Sequence, residues 1–155
     1  AKGVETVIVS EPSEGRRSAI AGVGAANLVD PTTEDLSARV AELTGGDGVD
    51  VAFDAAGVGP AVAASLANLT PGGRVVVVAI HERPMDFLPT QLVMGETAIV
   101  GTLAYLQSDF DAVIAAMAAG GYTADGWVDD VAVDDVVGAI ASLRAGKGMK
   151  VLVRA

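Results

Sequence analysis

Short apolar runs alternate with helical patterns along most of the chain. The apolar runs predict strands at residues 5–10, 27–29, 49–54, 74–80, 97–103, 128–133 and 150–153. Helical spacing between them predicts helices at residues 13–21, 33–43, 60–69, 90–94, 109–119 and 134–145. The unbroken valines at 75–78 indicate a strand buried on both faces, as in a parallel sheet. The pattern therefore predicts an α/β protein with a Rossmann-like, doubly wound parallel sheet.

Single residues set several of the predicted boundaries. Ser13 and Thr33 are predicted to cap the first two helices, because their hydroxyls can accept hydrogen bonds from free backbone N–H groups. The glycines at 22 and 24 are expected to end the first helix, and residues 45–48 to form a turn. The sequence Pro71-Gly72-Gly73 is expected to turn the chain into the strand at 74–80.

The first predicted strand is followed directly by an acidic residue, Glu11. In dinucleotide-binding βαβ units, a carboxylate at this position accepts hydrogen bonds from the adenosine ribose, ~20 residues after a glycine-rich phosphate loop. Here that loop would lie roughly ten residues before Ala1. We therefore expect a piece of a nucleotide-binding enzyme that begins inside the first helix, with its sheet incomplete at the N-terminus. The alternative is that Glu11 is an exposed loop acid.

The charges around Glu11 bear on the choice of cofactor. A carboxylate at this position repels the 2′-phosphate of NADP and therefore favours NAD. Arg16 and Arg17 follow closely, and an arginine in this place can contact a 2′-phosphate. Their alternative is a solvated helix face. NAD is the expected cofactor, and NADP stays possible.

The composition excludes several other functions. A net charge of −10 argues against a nucleic-acid surface and against docking on an anionic membrane. There is no cysteine and only one histidine, His81, so neither a cysteine-ligated metal site nor a catalytic residue is predicted in these residues. His81 lies in a polar loop and is expected at the surface. No apolar run is long enough to span a bilayer, and a cytoplasmic location is expected.

Two further segments follow predicted strands directly. The first is Asp54-Ala55-Ala56-Gly57, and the second is the end of the next strand at residues 78–80. In doubly wound sheets, ligands lie beyond the carboxyl ends of the strands, where small residues let a nucleotide approach the backbone. The alternative for the first segment is a tight strand-to-helix turn without a ligand.

Taken in order, these segments resemble the medium-chain, zinc-dependent alcohol dehydrogenase family. The resemblance covers essentially the whole chain, and within the family it is strongest to the butanediol dehydrogenase branch. The matching runs are residues 1–11, 22–31, 49–57, 69–78, 143–146 and 150–153, and those that indicate the branch are residues 10–17, 79–82 and 121–125.

The resemblance implies a two-domain enzyme that oxidises secondary alcohols or diols, or reduces ketones, with NAD(P). Residues 1–102 would be a truncated dinucleotide-binding domain, and residues 103–155 would return toward a catalytic domain that lies outside this chain and holds the zinc. The implied cofactor-binding residues are Glu11 at the adenosine ribose; Ala56, Gly57 and Val58 on the adenosine side; Val78, Ala79, Ile80, Ala98 and Val100 near the nicotinamide; and Lys150 near the pyrophosphate. Arg16 is added to the predicted cofactor-binding residues because it follows Glu11 closely enough to contact a 2′-phosphate.

The resemblance also implies a homo-oligomer, formed through an edge strand that runs from Thr97 to Val100. This chain alone is expected to bind no zinc and to transfer no hydride. Two alternatives stay open: a zinc-free reductase of the same superfamily, and a non-catalytic nucleotide-binding or assembly module.

Overall fold

Strands and helices alternate in the computed structural model, which describes residues 3–155. The strands are β1 Ile8–Ser10, β2 Asn27–Val29, β3 Val49–Asp54, β4 Leu69–Val77, β5 Ala98–Gly101, β6 Val128–Ala132 and β7 Lys150–Arg154. The helices are α1 Glu14–Gly22, α2 Leu36–Thr44, α3 Gly59–Ala67, α4 Thr90–Gly95, α5 Gln107–Ala118 and α6 Val136–Arg144, the last preceded by a 3-10 turn at Val133–Asp135. Within residues 3–155, no helix is long and apolar enough to cross a membrane.

All the paired strands run parallel, and they form three hydrogen-bonded groups. β1 pairs with β2, β3 with β4 and β4 with β5, and β6 with β7. The first two groups match the 3-2 and 4-5-6 groups of the order 3-2-1-4-5-6 found in doubly wound sheets. The α/β class and the parallel strand pairing predicted from the sequence are therefore confirmed.

The chain divides into two compact units. One contains residues 3–34 and 106–155, and the other is Asp35–Tyr105. In the first unit Val29 is fully buried, and in the second Val62 and Val75 are fully buried, so each unit has apolar side chains shielded from water. The division at residues 102 and 103 stays a prediction.

The start of α2 differs from the prediction. Ser13 does cap α1, because its hydroxyl accepts the N–H of Arg16. Thr33, in contrast, lies in a turn in which the carbonyl of Asp30 accepts the N–H groups of Thr33 and Glu34. The cap of α2 is Asp35, whose carboxylate accepts the N–H of Ala38 at 3.1 Å. The turn after β2 thus moves the cap by two residues, from Thr33 to Asp35, and the helix begins at Leu36.

Both ends of β4 also differ from the prediction. The predicted helix at 60–69 ends at Ala67, and β4 begins at Leu69, so the Pro71-Gly72-Gly73 segment lies within the strand as an irregularity in its pairing with β3. The strand ends at Val77 rather than at residue 80. The cause is a contact from β3: the carbonyl of Asp54 accepts the N–H groups of both Val78 and Ala79 at 3.0 Å, which turns the chain.

Candidate functional site

Glu11 follows β1 directly, in the unit formed by residues 3–34 and 106–155. Its Oε1 accepts the N–H of Ser13 at 2.8 Å, which leads the chain from the strand into α1. Its Oε2 lies 4.0 Å from Nη1 of Arg16, and the side chain keeps 19% of its exposure. The carboxylate is therefore held in place by the backbone while its second oxygen retains the capacity to accept further hydrogen bonds.

Arg17 joins the carboxyl ends of β1 and β2. Its Nη1 donates to the carbonyl of Glu11 at 2.7 Å, and its Nη2 lies 2.8 Å from Oδ2 of Asp30. The hydroxyl and the N–H of Thr32 lower the pKa of Asp30, and the charge of Arg17 adds to that effect. Arg17 is thus a structural cation that joins two neighbouring strand ends.

Arg16 contacts α6 and the loop that follows it. Its Nη2 donates to the carbonyl of Leu143 at 3.0 Å and its Nε to the carbonyl of Gly148 at 3.4 Å. Leu143 lies in the last turn of α6 and its carbonyl also accepts the N–H of Gly146 at 3.1 Å, so the guanidinium adds a second hydrogen bond at the C-terminal end of the helix. The predicted role of Arg16 at the cofactor stays a prediction, as does that of Lys150, which is exposed at the start of β7 opposite Val128.

A shallow cavity of about 350 Å³ lies in the same unit, beside α1. None of the predicted cofactor-binding residues lines it. The lining residues are Glu14, Arg17, Ser18, Ala21, Leu28, Asp30, Thr33 and Glu34. Because Arg17 and Asp30 are already paired with each other, we assign no ligand to this cavity.

The carboxyl ends of β3 and β4 meet in the second unit, Asp35–Tyr105. Asp54 is buried, with 2% of its surface exposed, and its Oδ1 accepts the N–H groups of Ala56 and Gly57, both at 3.1 Å. Gly57 has a φ of +69°, and a Cβ at this residue would lie 2.8 Å from the carbonyl oxygen of Ile80. The turn after β3 therefore touches the segment after β4.

This contact brings together six of the predicted cofactor-binding residues. They are Ala56, Gly57, Val58, Val78, Ala79 and Ile80. The side chains of Val58 and Val78 are about half exposed and Ile80 is 88% exposed, so the edge presents an apolar surface. Such a surface suits a ring system that is apolar on its faces.

The two remaining predicted residues lie on β5. Val100 is opposite Val76, and Ala98 is opposite Arg74. At ~3.3 Å per residue, the pairing position of Ala98 lies ~13 Å before Val78 along β4. Ala98 is thus at the other end of the strand pair from residues 78–80, and its role at the cofactor stays a prediction.

His81 is not the surface residue that its loop context predicts. Its Nε2 lies 2.6 Å from Oδ2 of Asp54, and its side chain is 19% exposed. Burial opposes the ionisation of Asp54, but the hydrogen bond from His81 and those from Gly57 and Ala56 outweigh it, so the pKa of Asp54 lies below its ordinary value.

The sequence analysis placed Asp54 at the start of a candidate segment but predicted no role for it, and it did not predict His81 to form part of the site. A signal for them exists in the sequence. An acid at the last position of one parallel strand and a histidine just after the next strand both lie at the carboxyl edge of the same sheet, where they can meet.

The part of the chain that the structure describes does not form a zinc site. Among residues 3–155, no group of three or more histidine, cysteine, aspartate or glutamate side chains is arranged to hold a metal ion. The sequence has no cysteine, and Nε2 of its single histidine is bound to Asp54. We therefore derive no chemical step through zinc for these residues.

Comparison with known proteins identifies the family. The family model for zinc-binding dehydrogenases matches residues 1–119. The chain is 34% identical to (R,R)-butanediol dehydrogenase of Bacillus subtilis over 158 residues, which cover 99% of this chain and 45% of that protein. It is also 34% identical to 2-dehydro-3-deoxy-L-galactonate 5-dehydrogenase of Pseudoalteromonas atlantica, over 95% of this chain and 43% of that protein. The chain thus spans less than half the length of these relatives.

Solved structures agree with this similarity. The crystal structure of 2R,3R-butanediol dehydrogenase from Bacillus subtilis superposes with a TM-score of 0.82 at 33% identity, covering 94% of this chain and 42% of that one. Benzyl alcohol dehydrogenase from Acinetobacter calcoaceticus superposes with a TM-score of 0.88 at 22% identity, over 97% of this chain and 43% of that one, which supports the fold alone. These similarities confirm the Rossmann-like fold and the predicted resemblance to butanediol dehydrogenases. The chain belongs to the zinc-binding dehydrogenase family.

Proposed function

We propose that this chain is the cofactor-binding part of an NAD-dependent alcohol dehydrogenase that oxidises secondary alcohols or diols of the butanediol type, or reduces the matching ketones. Its relatives are dehydrogenases that act on small alcohols, which supports the reaction class. The observation that carries the proposal is the position of Glu11. Its carboxylate stands at the carboxyl end of a parallel strand, is oriented by the N–H of Ser13 and remains accessible to ribose hydroxyls.

The contacts of the two arginines support NAD over NADP. Arg16 donates to two backbone carbonyls, and Arg17 is shared between the Glu11 carbonyl and Asp30. Two of the five N–H donors of each guanidinium are therefore already engaged with the protein, which leaves fewer of them for a 2′-phosphate. The carboxylate of Glu11 would in addition repel that phosphate.

The chemistry of the reaction lies mostly outside these residues. When bound, the nicotinamide supplies the hydride acceptor or donor. The residues of this chain bind and orient the cofactor, and we propose no catalytic residue among them. On this proposal, zinc and the walls of the substrate pocket belong to the rest of the enzyme, and these residues alone are inactive.

Within residues 3–155, β5 is hydrogen-bonded to β4 alone, and its other edge supports a proposed homo-oligomer. Thr102, just after β5, donates its N–H to the carbonyl of Val77 in β4, and successive N–H groups along a strand alternate in direction. The N–H of Ile99 therefore points away from β4, toward the free edge. A second copy of the chain would extend the sheet there through backbone hydrogen bonds.

Titration and turnover of the whole gene product test the proposed function. The expected result is saturable NADH binding that is tighter than NADPH binding, together with diol oxidation that stops when zinc is chelated and returns when zinc is added. Oxidation or reduction that survives chelation would favour the zinc-free reductase. Nucleotide binding without any turnover would favour the non-catalytic module, and the absence of nucleotide binding would refute the proposal.

A further inference from the structure

We propose that His81 is a positioning residue that, through Asp54, fixes the segment at residues 78–81 against the turn at residues 55–58. It thereby holds in place the residues that are proposed to contact the nicotinamide. The inference rests on the proposed function, because it assigns a role within NAD binding. We refer to the His81–Asp54 contact as the clasp.

The two oxygens of the Asp54 carboxylate hold different segments. Oδ1 accepts the N–H groups of Ala56 and Gly57, and Oδ2 lies 2.6 Å from Nε2 of His81. An ionised carboxylate only accepts hydrogen bonds, so Nε2 must carry the proton of this contact. One buried carboxylate thus joins the turn after β3 to His81, at the end of the segment after β4.

Few other hydrogen bonds hold the segment after β4 among the described residues. The backbone N–H groups of Val78 and Ala79 donate to the Asp54 carbonyl, but the side chain of Ile80 is 88% exposed. Within residues 3–155, the clasp is the hydrogen bond that anchors the stretch from Ile80 to Asp86. The close approach of Gly57 to the Ile80 carbonyl works only while this stretch keeps its place.

The two sides of the edge should therefore respond differently when the clasp is broken. The turn at 55–58 keeps its hydrogen bonds to Oδ1 of Asp54, so the adenosine side stays ordered. Val78 and Ala79 also keep their hydrogen bonds to the Asp54 carbonyl, but Ile80 and His81 lose their anchor, so the nicotinamide side loosens at these two residues. Nδ1 of His81 has no hydrogen-bond partner among residues 3–155 and is not needed for this effect.

Two substitutions separate the clasp from the rest of the imidazole. In His81→Gln, the amide nitrogen takes a place similar to that of Nε2 and can still donate to Asp54. In His81→Asn, the amide nitrogen lies nearer the place of Nδ1, and the contact with Asp54 is lost. Glu82→Gln, in the neighbouring exposed position, is the matched control.

Calorimetric titration of the whole gene product with NADH and with ADP-ribose gives the readout. ADP-ribose lacks the nicotinamide, so it reports on the adenosine side and on the fold of each variant. We expect His81→Asn to weaken NADH binding about tenfold, because NADH binding must then order the residues that the lost hydrogen bond to a charged group holds in the wild type, with ADP-ribose binding within about twofold of wild type. His81→Gln and Glu82→Gln should bind both ligands as the wild type does.

Three results would overturn the inference. NADH binding by His81→Asn that equals the wild-type value would show that the clasp does not position the nicotinamide side. Equal weakening of NADH and ADP-ribose would indicate a general structural defect, and a His81→Gln variant as weak as His81→Asn would show that a donor to Asp54 at the place of Nε2 is not what positions the segment. If the wild-type protein binds neither ligand, the proposed function fails and this inference fails with it.

Discussion

Replacing Gly57 by alanine tests whether the turn after β3 and the segment after β4 are in the close contact described above. Gly57 has a φ of +69°, which costs an alanine roughly 1–2 kcal/mol. The new Cβ would also lie 2.8 Å from the Ile80 carbonyl oxygen and 3.3 Å from the Ala79 Cβ, so one of the two segments must move. An overpacked contact of this kind costs about 1–3 kcal/mol more.

Gly45 offers a matched control in the same unit. Its φ is +66°, and a Cβ there would meet nothing within 4 Å. Gly45→Ala therefore carries the backbone cost alone, and the difference between the two variants isolates the contact with Ile80. We expect Gly57→Ala to lose about 1–3 kcal/mol more free energy of unfolding than Gly45→Ala.

Urea unfolding followed by far-ultraviolet circular dichroism measures this difference. With a urea dependence of about 1–3 kcal/mol per molar, the midpoint of Gly57→Ala should lie about 1 M below that of Gly45→Ala. Equal midpoints would refute the close approach, because the Cβ added in Gly57→Ala would then meet no more of the protein than the Cβ added in Gly45→Ala. A lower midpoint for Gly45→Ala would refute it more strongly.

Three further predictions concern Asp54, Glu11 and the β5 edge. Because the folded-state pKa of Asp54 is lowered, the stability it contributes is present above the ordinary carboxyl pKa of about 4 and is lost as the pH falls through the folded-state value. Asp54→Asn should therefore be less stable than the wild type at pH 7 and lose less stability on acidification. A urea midpoint that depends on pH as the wild-type midpoint does would contradict this. Glu11→Gln keeps an acceptor for the Ser13 N–H but loses the charge, so NADH binding should weaken about tenfold while NADPH binding does not weaken. Glu14→Gln is the exposed control, and a parallel loss of affinity for both cofactors would argue against a contact with the ribose. Ile99→Pro removes an N–H at the free edge of β5, so size-exclusion chromatography should show a smaller assembly than the wild type, and an unchanged mass would count against this interface.

The sequence predicted the elements well where local signals act alone. The strands at 27–29 and 49–54 have the predicted bounds, because each is a short apolar run closed by polar residues. Ser13 was predicted as a cap for the same reason, since the signal lies within one helical turn.

The predictions failed where a distant group decides the local structure. The carbonyl of Asp54 ends β4 at Val77, three residues before its apolar pattern ends, and no local feature of residues 74–80 reveals that contact. His81 was predicted at the surface because its neighbours are polar, whereas its environment is set by a buried acid 27 residues earlier in the sequence. The candidate site is affected most, because it is built from contacts between the ends of different strands.

Hydrogen–deuterium exchange of the whole gene product, with and without NADH, tests most directly whether these strand ends bind the cofactor. We predict slower exchange on NADH binding in the segment around Glu11 and, separately, in the segments at residues 55–58 and 78–81, with little change at residues 45–48, between the end of α2 and the start of β3. Saturating NADH that leaves exchange unchanged in all three segments would contradict the account.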